Sequence, residues 1–421
     1  MSLPAHALPR LLAGFSPDRQ MSLAEHVHVH GALPAGDRGL RQELSRSGLH
    51  GCGGGSFPFA RKLDAVAARR GRPVVVVNGS EGEPLSWKDK LLLGHLPHLV
   101  LDGAVASARA LGAREIVVAV ESTGAAGAVH RAINEREGGR REGVSLRVQA
   151  VPASYLTGQE TALIAALSGR PPLPAMTPPY PFEKGLAGRP TLLSNAETYA
   201  HAGLIARNGA DWFRALGTRE SPGTRLVTVT GAVAHAGVIE VAGGTEVKAL
   251  LSAAGGITEP VVGLLFGGYA GIWAGVQARH WQLGEAELRS HGASLGPGIV
   301  LVLGQSSCPV SETARAARWL SDQSAGQCGP CVNGLDAIAG ALEQLCDRGD
   351  HSGAYTHLER WCSLVNRRGA CSLPDGAARF VITALRTFRP VFKDHALHGR
   401  CESCHQQGAR RARSRERLVR V

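Results

Sequence analysis

The stretch RPVVVVNGSEGEP, residues 72–84, decides the fold class of this chain. Its four consecutive valines, Val74–Val77, form an unbroken apolar run, which is typical of a central parallel strand covered on both faces. A polar turn follows at the carboxyl end of that strand, where open α/β sheets bind their ligands. In this turn Asn78 can hydrogen-bond a heterocycle edge, while Glu81 and Glu83 can hold ribose hydroxyls. The alternative interpretation is a plain polar turn between a strand and a helix.

The sequence around this stretch alternates between strand and helix patterns. Further buried strands are predicted at Glu115–Ser122 and Val144–Tyr155, and a helix at Leu96–Ala113 connects the first two strands. This alternation predicts a Rossmann-like α/β domain with a mostly parallel sheet over residues 46–215. Residues 1–45 show little periodicity and are predicted to be an extended lead-in.

The second half of the chain predicts two further domains and a tail. Residues 222–308 contain a strand pair, a short helix and more strands, which indicates a small β-grasp domain of the ubiquitin kind. Residues 311–392 hold four amphipathic segments with short links, which predicts a helical bundle. Residues 393–421 are predicted to form a basic, arginine-rich tail.

The composition narrows the functional class. Hydrophobic residues make up 44% of the 421 residues, and no apolar run approaches the roughly 18 residues of a membrane span. Because the N-terminal residues also lack a signal-peptide pattern, we expect a soluble, cytoplasmic protein. The net charge is +11, but residues 399–421 alone hold seven arginines and two glutamates. The excess is therefore concentrated in a solvated tail, and we expect no nucleic-acid binding.

A glycine-rich segment, GLHGCGGGSFPFARK, spans residues 48–62. Gly51, Gly53, Gly54 and Gly55 lie just ahead of a predicted helix, where clustered glycines let backbone N–H groups approach a phosphate closely. The segment fits neither a Walker loop nor a GxGxxG that follows a strand. A flexible connector is the alternative interpretation.

The chain has nine cysteines, which without export are expected to be reduced, metal-bound or catalytic rather than disulfide-paired. Cys328 and Cys331 form a CxxC pair just before a predicted helix, and Cys371 follows 40 residues later. Spacing alone leaves a redox dithiol, a zinc site and an iron–sulfur site open. Cys346 and Cys362, on predicted bundle helices, are expected to be small core residues.

The remaining cysteines have weaker signals. Cys308 follows a strand and has no obvious partner in the sequence. Cys401 and Cys404 precede His405 in a CxxCH motif, the pattern of c-type haem attachment. Haem attachment normally needs export, so we expect a chance match in the tail, with a ligand for the cysteine site as the minor alternative.

Five motifs occur along the chain in the order of a known family. They are GLHGCGGGSFP…K (48–62), NGSEGEP…KDK…PHLVLDGA (78–104), GQETALIAALSGR (158–170), PPYPFEKGLAGRPTLLSNAET (178–198) and CGPCVNG (328–334). On these motifs, roughly residues 46–390 resemble the NADH-oxidising flavoprotein subunit of respiratory complex I. The related diaphorase subunits of NAD-linked hydrogenases and formate dehydrogenases share the same pattern.

The resemblance implies an FMN in the glycine loop, a nicotinamide dinucleotide stacked over it and a 4Fe–4S cluster nearby. With Glu81 added from the polar turn, the predicted cofactor-binding residues are Gly51, Gly53, Gly54, Phe57, Lys62, Asn78, Glu81, Glu83, Glu160, Tyr180 and Asn195. By position, the resemblance implies that Phe57 lies near the nicotinamide nucleotide and that Glu83 contacts the dinucleotide. The implied cluster ligands are Cys328, Cys331 and Cys371.

The chain also departs from the family's pattern. Cys52 stands where the family has an arginine, and Ala325 stands where it has the first cluster cysteine. The other replacements are Gly55 for an alanine, Ser56 for a glycine, Ser80 for an aspartate, Gln159 for a glutamate, Thr177 for a lysine, Ser194 for an asparagine and Ala65 for an aromatic residue. Flavin-side positions are kept better than dinucleotide-side positions, and fewer carboxylates near the flavin are expected to raise its potential. Three thiolates leave open an outside or non-cysteine ligand, a three-iron cluster, or a fold without metal.

The function that follows is an FMN-dependent NAD(P)H oxidoreductase. It passes electrons through flavin and cluster to a protein acceptor such as a ferredoxin, which the arginine-rich tail can dock. Because the cofactors carry the chemistry, no side chain is predicted to be catalytic. The alternative is a flavin- or nucleotide-binding scaffold subunit without turnover, which the altered dinucleotide contacts and the missing cysteine favour.

Overall fold

The computed structural model describes residues 8–35, 39–138, 143–347 and 350–399. The first domain is built on a four-stranded sheet. Its strands are β1 (Val74–Gly79), β2 (Glu115–Val120), β3 (Ser145–Ala150) and β4 (Thr191–Asn195). Their order is β3-β2-β1-β4, and every neighbouring pair is parallel. Val75 and Val77 pack in one apolar core and Val74 and Val76 in another, so β1 is covered on both faces as its apolar run predicts.

Nine helices accompany this sheet within the described ranges. They are α1 (Leu23–His30), α2 (Leu40–Ser47), α3 (Phe59–Ala67), α4 (Lys88–His95), α5 (Pro97–Leu111), α6 (Thr123–Glu135), α7 (Glu160–Leu167), α8 (Pro181–Lys184) and α9 (Ala196–Arg214). Helix α5 begins with Pro97 and ends at the left-handed Gly112, as helix start and stop signals require. It packs against α9 so closely that a Cβ on Gly103 would lie 1.6 Å from the carbonyl oxygen of Tyr199. The two helices therefore meet backbone to backbone.

The described part of the lead-in, residues 8–35 and 39–45, is not extended as predicted, because it contains α1 and most of α2. Helix α1 begins with a capping box between Ser22 and Glu25 and lies on the first domain. Its buried positions are His26 and His30 rather than apolar residues, which hides the helical pattern from a hydropathy reading. The imidazole Nε2 of His26 lies 2.5 Å from a carboxylate oxygen of the buried Asp102. The buried side of α1 is therefore stabilised by a polar contact, whereas a helix can be predicted from periodicity only when its buried side is apolar.

The second domain has the β-grasp arrangement that the sequence predicts. Its elements are β5 (Thr224–Gly231), β6 (Gly237–Ala242), α10 (Val247–Ala253), β7 (Val261–Phe266), β8 (Ile272–Ala274), α11 (Glu285–Ser290) and β9 (Ile299–Gly304). The sheet order is β6-β5-β9-β7-β8. The central pair β5–β9 is parallel, and the other pairs are antiparallel.

The third domain is a helical bundle, as the four amphipathic segments predict. It consists of α12 (Pro309–Asp322), a π-helical turn (Pro330–Leu335), α13 (Asp336–Gln344), α14 (Ser352–Val365), α15 (Leu373–Thr387) and α16 (Arg389–His398). The boundary predicted between bundle and tail, at residue 393, falls inside α16. This helix buries Phe392, His395 and Ala396, and its short, partly polar buried face gives a weak periodic signal.

The bundle packs against the β-grasp domain. Trp273 of β8 donates its backbone N–H to the Thr383 hydroxyl of α15 at 3.1 Å. Trp273 and Tyr269 belong to the same apolar core as the bundle helices. Within the described part of the chain, no single helix is long and apolar enough to cross a membrane, and only the pair α4–α5, bent by 93°, passes that test on length and composition.

Candidate functional site

The glycine-rich segment folds into a tight loop between the β-grasp domain and the parallel sheet. Its two ends are tied by backbone hydrogen bonds from Gly51 N–H to Phe57 O and from Phe59 N–H to Leu49 O, both 2.9 Å. Gly54 has a φ of +103°, a left-handed conformation that side chains rarely adopt. The segment is therefore a defined loop and not a flexible connector.

This loop borders a cleft made of two adjoining cavities of about 420 and 340 Å³. The cavities share Gly53, Gly55, Asn78, Gly158, Gln159 and Asn195, which makes the cleft continuous. Every residue predicted to bind a cofactor lines it. Which atom of a cofactor each one touches stays a prediction.

At one end of the cleft, charged and aromatic side chains surround the larger cavity. The ammonium group of Lys62 donates to the Glu160 carboxylate and, at 2.9 Å, to the Leu193 carbonyl. Phe57 and Tyr180 present half-exposed rings, with exposed fractions of 52% and 45%. A cation beside an open glycine loop suits a phosphate, and exposed rings suit a planar heterocycle. The residues present therefore fit FMN and a dinucleotide.

Two asparagines hold the floor of the cleft in place. The Asn78 amide donates to Gly158 O at 2.9 Å and accepts from Ser80 N–H at 3.1 Å. The Asn195 amide donates to Asp89 at 2.5 Å, and its oxygen accepts from Lys88 at 3.1 Å. A Cβ on Gly53 would lie 3.1 Å from the Asn195 Cβ, so Asn195 also supports the glycine loop.

The two glutamates of the polar turn lie at the other end of the cleft, and both are buried. The Glu81 carboxylate accepts hydrogen bonds from Asp89 N–H at 3.1 Å and Lys90 N–H at 2.9 Å, and so caps the start of α4. The Glu83 carboxylate accepts from Tyr269 N–H of the β-grasp domain at 3.1 Å. Burial raises the pKa of Glu83 to about 7, and burial with the nearby Asp89 carboxylate raises the pKa of Glu81 to about 7.

Beneath the glycine loop lies an ion network that sequence reasoning missed. The buried ammonium of Lys88 pairs with Asp89 at 2.9 Å and with Glu197 at 3.0 Å. The Cys52 thiol and the His201 imidazole lie within 4.8 Å of the Glu197 carboxylate, and burial raises the pKa of Cys52 to about 12. The KDK and SNAET motifs contained members of this network, but nothing in their spacing indicated burial.

The three predicted cluster cysteines come together at the edge of the bundle. Cys328 and Cys331 lie at the start of the π-helical turn, and Cys371 lies just before α15. Burial and the neighbouring thiols of Cys328 and Cys371 raise the pKa of Cys331 to about 12. Three converging thiols fit three of the four ligands of an iron–sulfur cluster, and Ala325 offers no fourth.

The cluster site and the cleft share a wall. Cys371 lines the smaller cavity together with Glu83, and Ser372, Leu373 and Arg379 of the bundle line it too. The guanidinium of Arg379 donates to Ala270 O at 2.5 Å, which ties the bundle to the β-grasp domain there. Arg379 carried no signal in the sequence, since it belongs to an ordinary helical segment.

The remaining described cysteines lie elsewhere. The Cys308 sulfur is 3.4 Å from the His395 imidazole, and the Cys346 sulfur is 3.8 Å from the Ser311 hydroxyl. Cys362 is fully buried in the bundle core, as expected. Cys401 and Cys404 fall outside the described residues.

Comparisons with known proteins agree with this geometry. Residues 44–203 match the Nuo51 FMN-binding domain, residues 226–263 the SLBB domain, and residues 311–395 the NADH-ubiquinone oxidoreductase-F iron–sulfur binding region. These matches confirm the prediction of FMN and a 4Fe–4S cluster at the level of domains.

Whole-chain comparisons agree as well. The chain is 31% identical to the second F-type subunit of the NADH-quinone oxidoreductase of Rhizobium meliloti, over 85% of this chain and 89% of the relative. It is 30% identical to the F-type subunit of the enzyme of Mycobacterium bovis, over 84% of each. Its structure resembles a chain of an NAD+-reducing NiFe hydrogenase with a TM-score of 0.79 and 27% identity, over 85% of this chain and 63% of that one. The chain belongs to the family of F-type subunits of the NADH-quinone oxidoreductases.

Proposed function

We propose that this chain oxidises a nicotinamide dinucleotide with FMN and passes the electrons through an iron–sulfur cluster to a separate acceptor protein. The observation that carries the proposal is the continuous cleft, which reaches from the glycine loop at one end to Cys371 at the other. A donor and a relay that border the same cleft need no large movement between them.

The chain's own residues bind and orient the cofactors. The backbone of Gly53 and Gly54 and the ammonium of Lys62 line the cleft and would hold the flavin phosphate and ring, with Asn78 in the floor beneath it. When bound, FMN supplies hydride acceptance and the cluster supplies one-electron transfer. The cysteines hold the cluster beside the cleft, and no side chain is needed as a general acid or nucleophile.

NADH is the donor that the cleft favours. Phe57 and Tyr180 offer rings for a second nucleotide above the glycine loop. Carboxylates recognise the free ribose hydroxyl of NADH, whereas the extra phosphate of NADPH is usually met by an arginine. Among the described lining residues there is a single arginine, Arg379, against four acids, which are Glu81, Glu83, Asp89 and Glu160.

The acceptor that we propose is a small acidic electron carrier of the ferredoxin type. The seven arginines of residues 399–421, all of which lie outside the described residues, give the chain a basic segment for such a carrier. We also propose the cytoplasm as the location, since a set of reduced cysteines suits a reducing compartment.

The test is an anaerobic absorbance spectrum of the full chain reconstituted with FMN, iron and sulfide. NADH is expected to bleach the flavin band rapidly and NADPH much more slowly. Protein that retains FMN but is bleached by neither would favour the alternative function, a scaffold subunit without turnover. Protein that takes up no FMN would contradict both.

A variant pair links the test to the cleft. Lys62→Ala removes the cation beside the glycine loop and is expected to lower FMN retention on gel filtration severalfold. Lys248→Ala, on an exposed face of α10, removes the same charge elsewhere and is expected to retain FMN like the wild type. Equal retention by both variants would remove Lys62 from the proposed site.

A further inference from the structure

The iron–sulfur site has three thiol donors, and the position that should supply the fourth is occupied by Ala325. Ala325, Cys328 and Cys371 are each partly buried and pack against the same apolar core of the bundle. The side chain of Ser324, the preceding residue, contacts the Cys331 thiol, so the loop between α12 and the π-helical turn brings residue 325 close to the site, but its methyl group cannot bind iron.

Ser324, the polar neighbour of Ala325, already has other partners. Its side chain hydrogen-bonds the Cys331 thiol, and its hydroxyl accepts from Gly326 N–H at 3.1 Å. The ligands of two different irons point away from each other across a cluster. A hydroxyl held against the Cys331 sulfur is therefore placed to hydrogen-bond that ligand and not to bind an iron of its own.

The other described cysteines have neighbours of their own, and Cys52 lies beside Glu197 and His201 beneath the glycine loop. Cys308 lies beside His395, Cys346 beside Ser311, and Cys362 within the bundle core. Among the described cysteines, Cys328, Cys331 and Cys371 are therefore the thiols that the structure assigns to the site.

The described chain ends at Gly399, directly after α16. His351 N–H bonds Ala396 O, so α16 ends near the start of α14. Val365, at the other end of this 14-residue helix, packs on Gly334 of the π-helical turn, about 20 Å away. Cys401 follows Gly399 by two residues and Cys404 follows it by five, which reach about 7 and about 17 Å when fully extended. Both cysteines lie outside the described residues, and a double variant tests them as ligands.

We propose that this chain binds its cluster through three cysteines and that the iron beside Ala325 carries water or hydroxide in place of a protein thiolate. Gly326 and Gln327, next to that position, are exposed, so solvent reaches it. This inference rests on the cluster part of the proposed function. It makes one iron exchangeable, whereas the other three are held by Cys328, Cys331 and Cys371.

An exchangeable iron has a defined chemical consequence. An added one-electron oxidant such as ferricyanide converts a 4Fe–4S cluster of charge 2+ into a 3Fe–4S cluster of charge 1+. The cluster releases Fe²⁺ to solution and one electron to the oxidant, so atoms and charge balance. Fe²⁺ with a reductant reverses the step.

The experiment compares the wild type with Ala325→Cys, both as full chains reconstituted anaerobically, then treated with ferricyanide and an iron chelator. Thr356→Cys, on an exposed face of α14, is the matched control for an added thiol. The readouts are the iron-to-sulfide ratio and the low-temperature EPR spectrum of the oxidised protein. Wild type and Thr356→Cys are expected to fall from about 1 to about 0.75 in this ratio and to give the near-isotropic signal of a three-iron cluster. Ala325→Cys is expected to keep its fourth iron and to stay EPR-silent.

The inference is overturned if the wild type keeps four irons as firmly as Ala325→Cys. Loss of that fourth iron in a Cys401→Ala, Cys404→Ala double variant would then assign the ligand to the tail. Protein that binds no iron at all contradicts the cluster part of the proposed function instead, so the two failures are distinguishable. Flavin bleaching by NADH is measured separately and does not depend on the fourth ligand.

Discussion

The Glu83→Gln variant tests the electrostatics of the cleft most directly. Glu83 is buried between the polar turn and the β-grasp domain, and burial raises its pKa from 4.5 to about 7. One pKa unit corresponds to about 1.4 kcal/mol, so keeping this carboxyl ionised in the folded protein costs about 3 kcal/mol. The glutamine side chain of the variant is neutral at every pH and keeps an oxygen for the Tyr269 N–H.

The sign of the effect follows from proton binding. Between pH 4.5 and about 7 the folded protein holds the Glu83 proton while the unfolded chain has released it. The free energy of unfolding of the wild type therefore falls as pH rises through this range. The variant lacks this loss, so relative to wild type it is expected to gain about 3 kcal/mol between roughly pH 4.5 and pH 8.

The assay is urea unfolding of the cofactor-free proteins at several pH values. The readout is the difference between the two proteins at each pH, which removes the contributions of groups that do not interact with Glu83. Glu359→Gln, the same change on an exposed face of α14, is expected to give a difference that does not vary with pH. Parallel curves for wild type and Glu83→Gln would refute the argument, because they would mean that Glu83 titrates alike in the folded and unfolded protein.

Three further predictions test the framework of the first domain. Asp102→Asn removes a fully buried carboxylate that pairs with two arginines, and it is expected to lower the free energy of unfolding in urea by about 3–5 kcal/mol. A decrease below about 1 kcal/mol would contradict the buried ion network. Gly103→Ala is expected to lower the melting temperature strongly, because its Cβ would lie 1.6 Å from Tyr199 O. The control Gly94→Ala, in α4, meets nothing within 4 Å and should raise the free energy of unfolding by up to about 1 kcal/mol. Similar melting temperatures for both variants would refute the close packing of α5 on α9. Cys52 is fully buried, and burial raises its pKa to about 12, so iodoacetamide should label it only after unfolding. Peptide mass spectrometry measures the labelling. Labelling in the folded state would mean that the glycine loop opens.

The parts of the fold that sequence predicted are those whose buried faces are apolar. The consecutive valines of β1 and the alternating apolar residues of β5 predicted strands, and both are strands in the structure. Two of the helices that were missed bury polar groups. Helix α1 buries His26 and His30, and α4 buries Lys88 and Asp89, each helix with a partner from elsewhere in the chain. Periodicity cannot reveal a buried face that is stabilised by ion pairs.

In the candidate site, too, some features were predicted from the sequence and others were not. The cleft residues that follow strand ends or form the glycine loop were predicted, since a parallel sheet brings its carboxyl ends to one edge. The contacts made by domain packing were not. Glu83 meets Tyr269 at a separation of 186 residues, and Arg379 reaches the cleft from the bundle. Short motifs hold no information about which distant backbone N–H or guanidinium will face them.

These contacts bear on how the cleft treats a flavin. Ser80 and Gln159 replace acids of the family and remove fixed negative charge from the cleft lining. The acids that remain at its inner end, Glu81 and Glu83, have pKa values raised to about 7 by burial, so near neutral pH a substantial fraction of each is protonated and uncharged. Less negative charge favours the electron-rich, reduced form of a bound cofactor. Domain packing buries Glu83 against the β-grasp domain, and it is therefore expected to raise the flavin reduction potential, as the sequence replacements are. Because the protonation of Glu83 changes with pH, we expect this rise in potential to depend on pH.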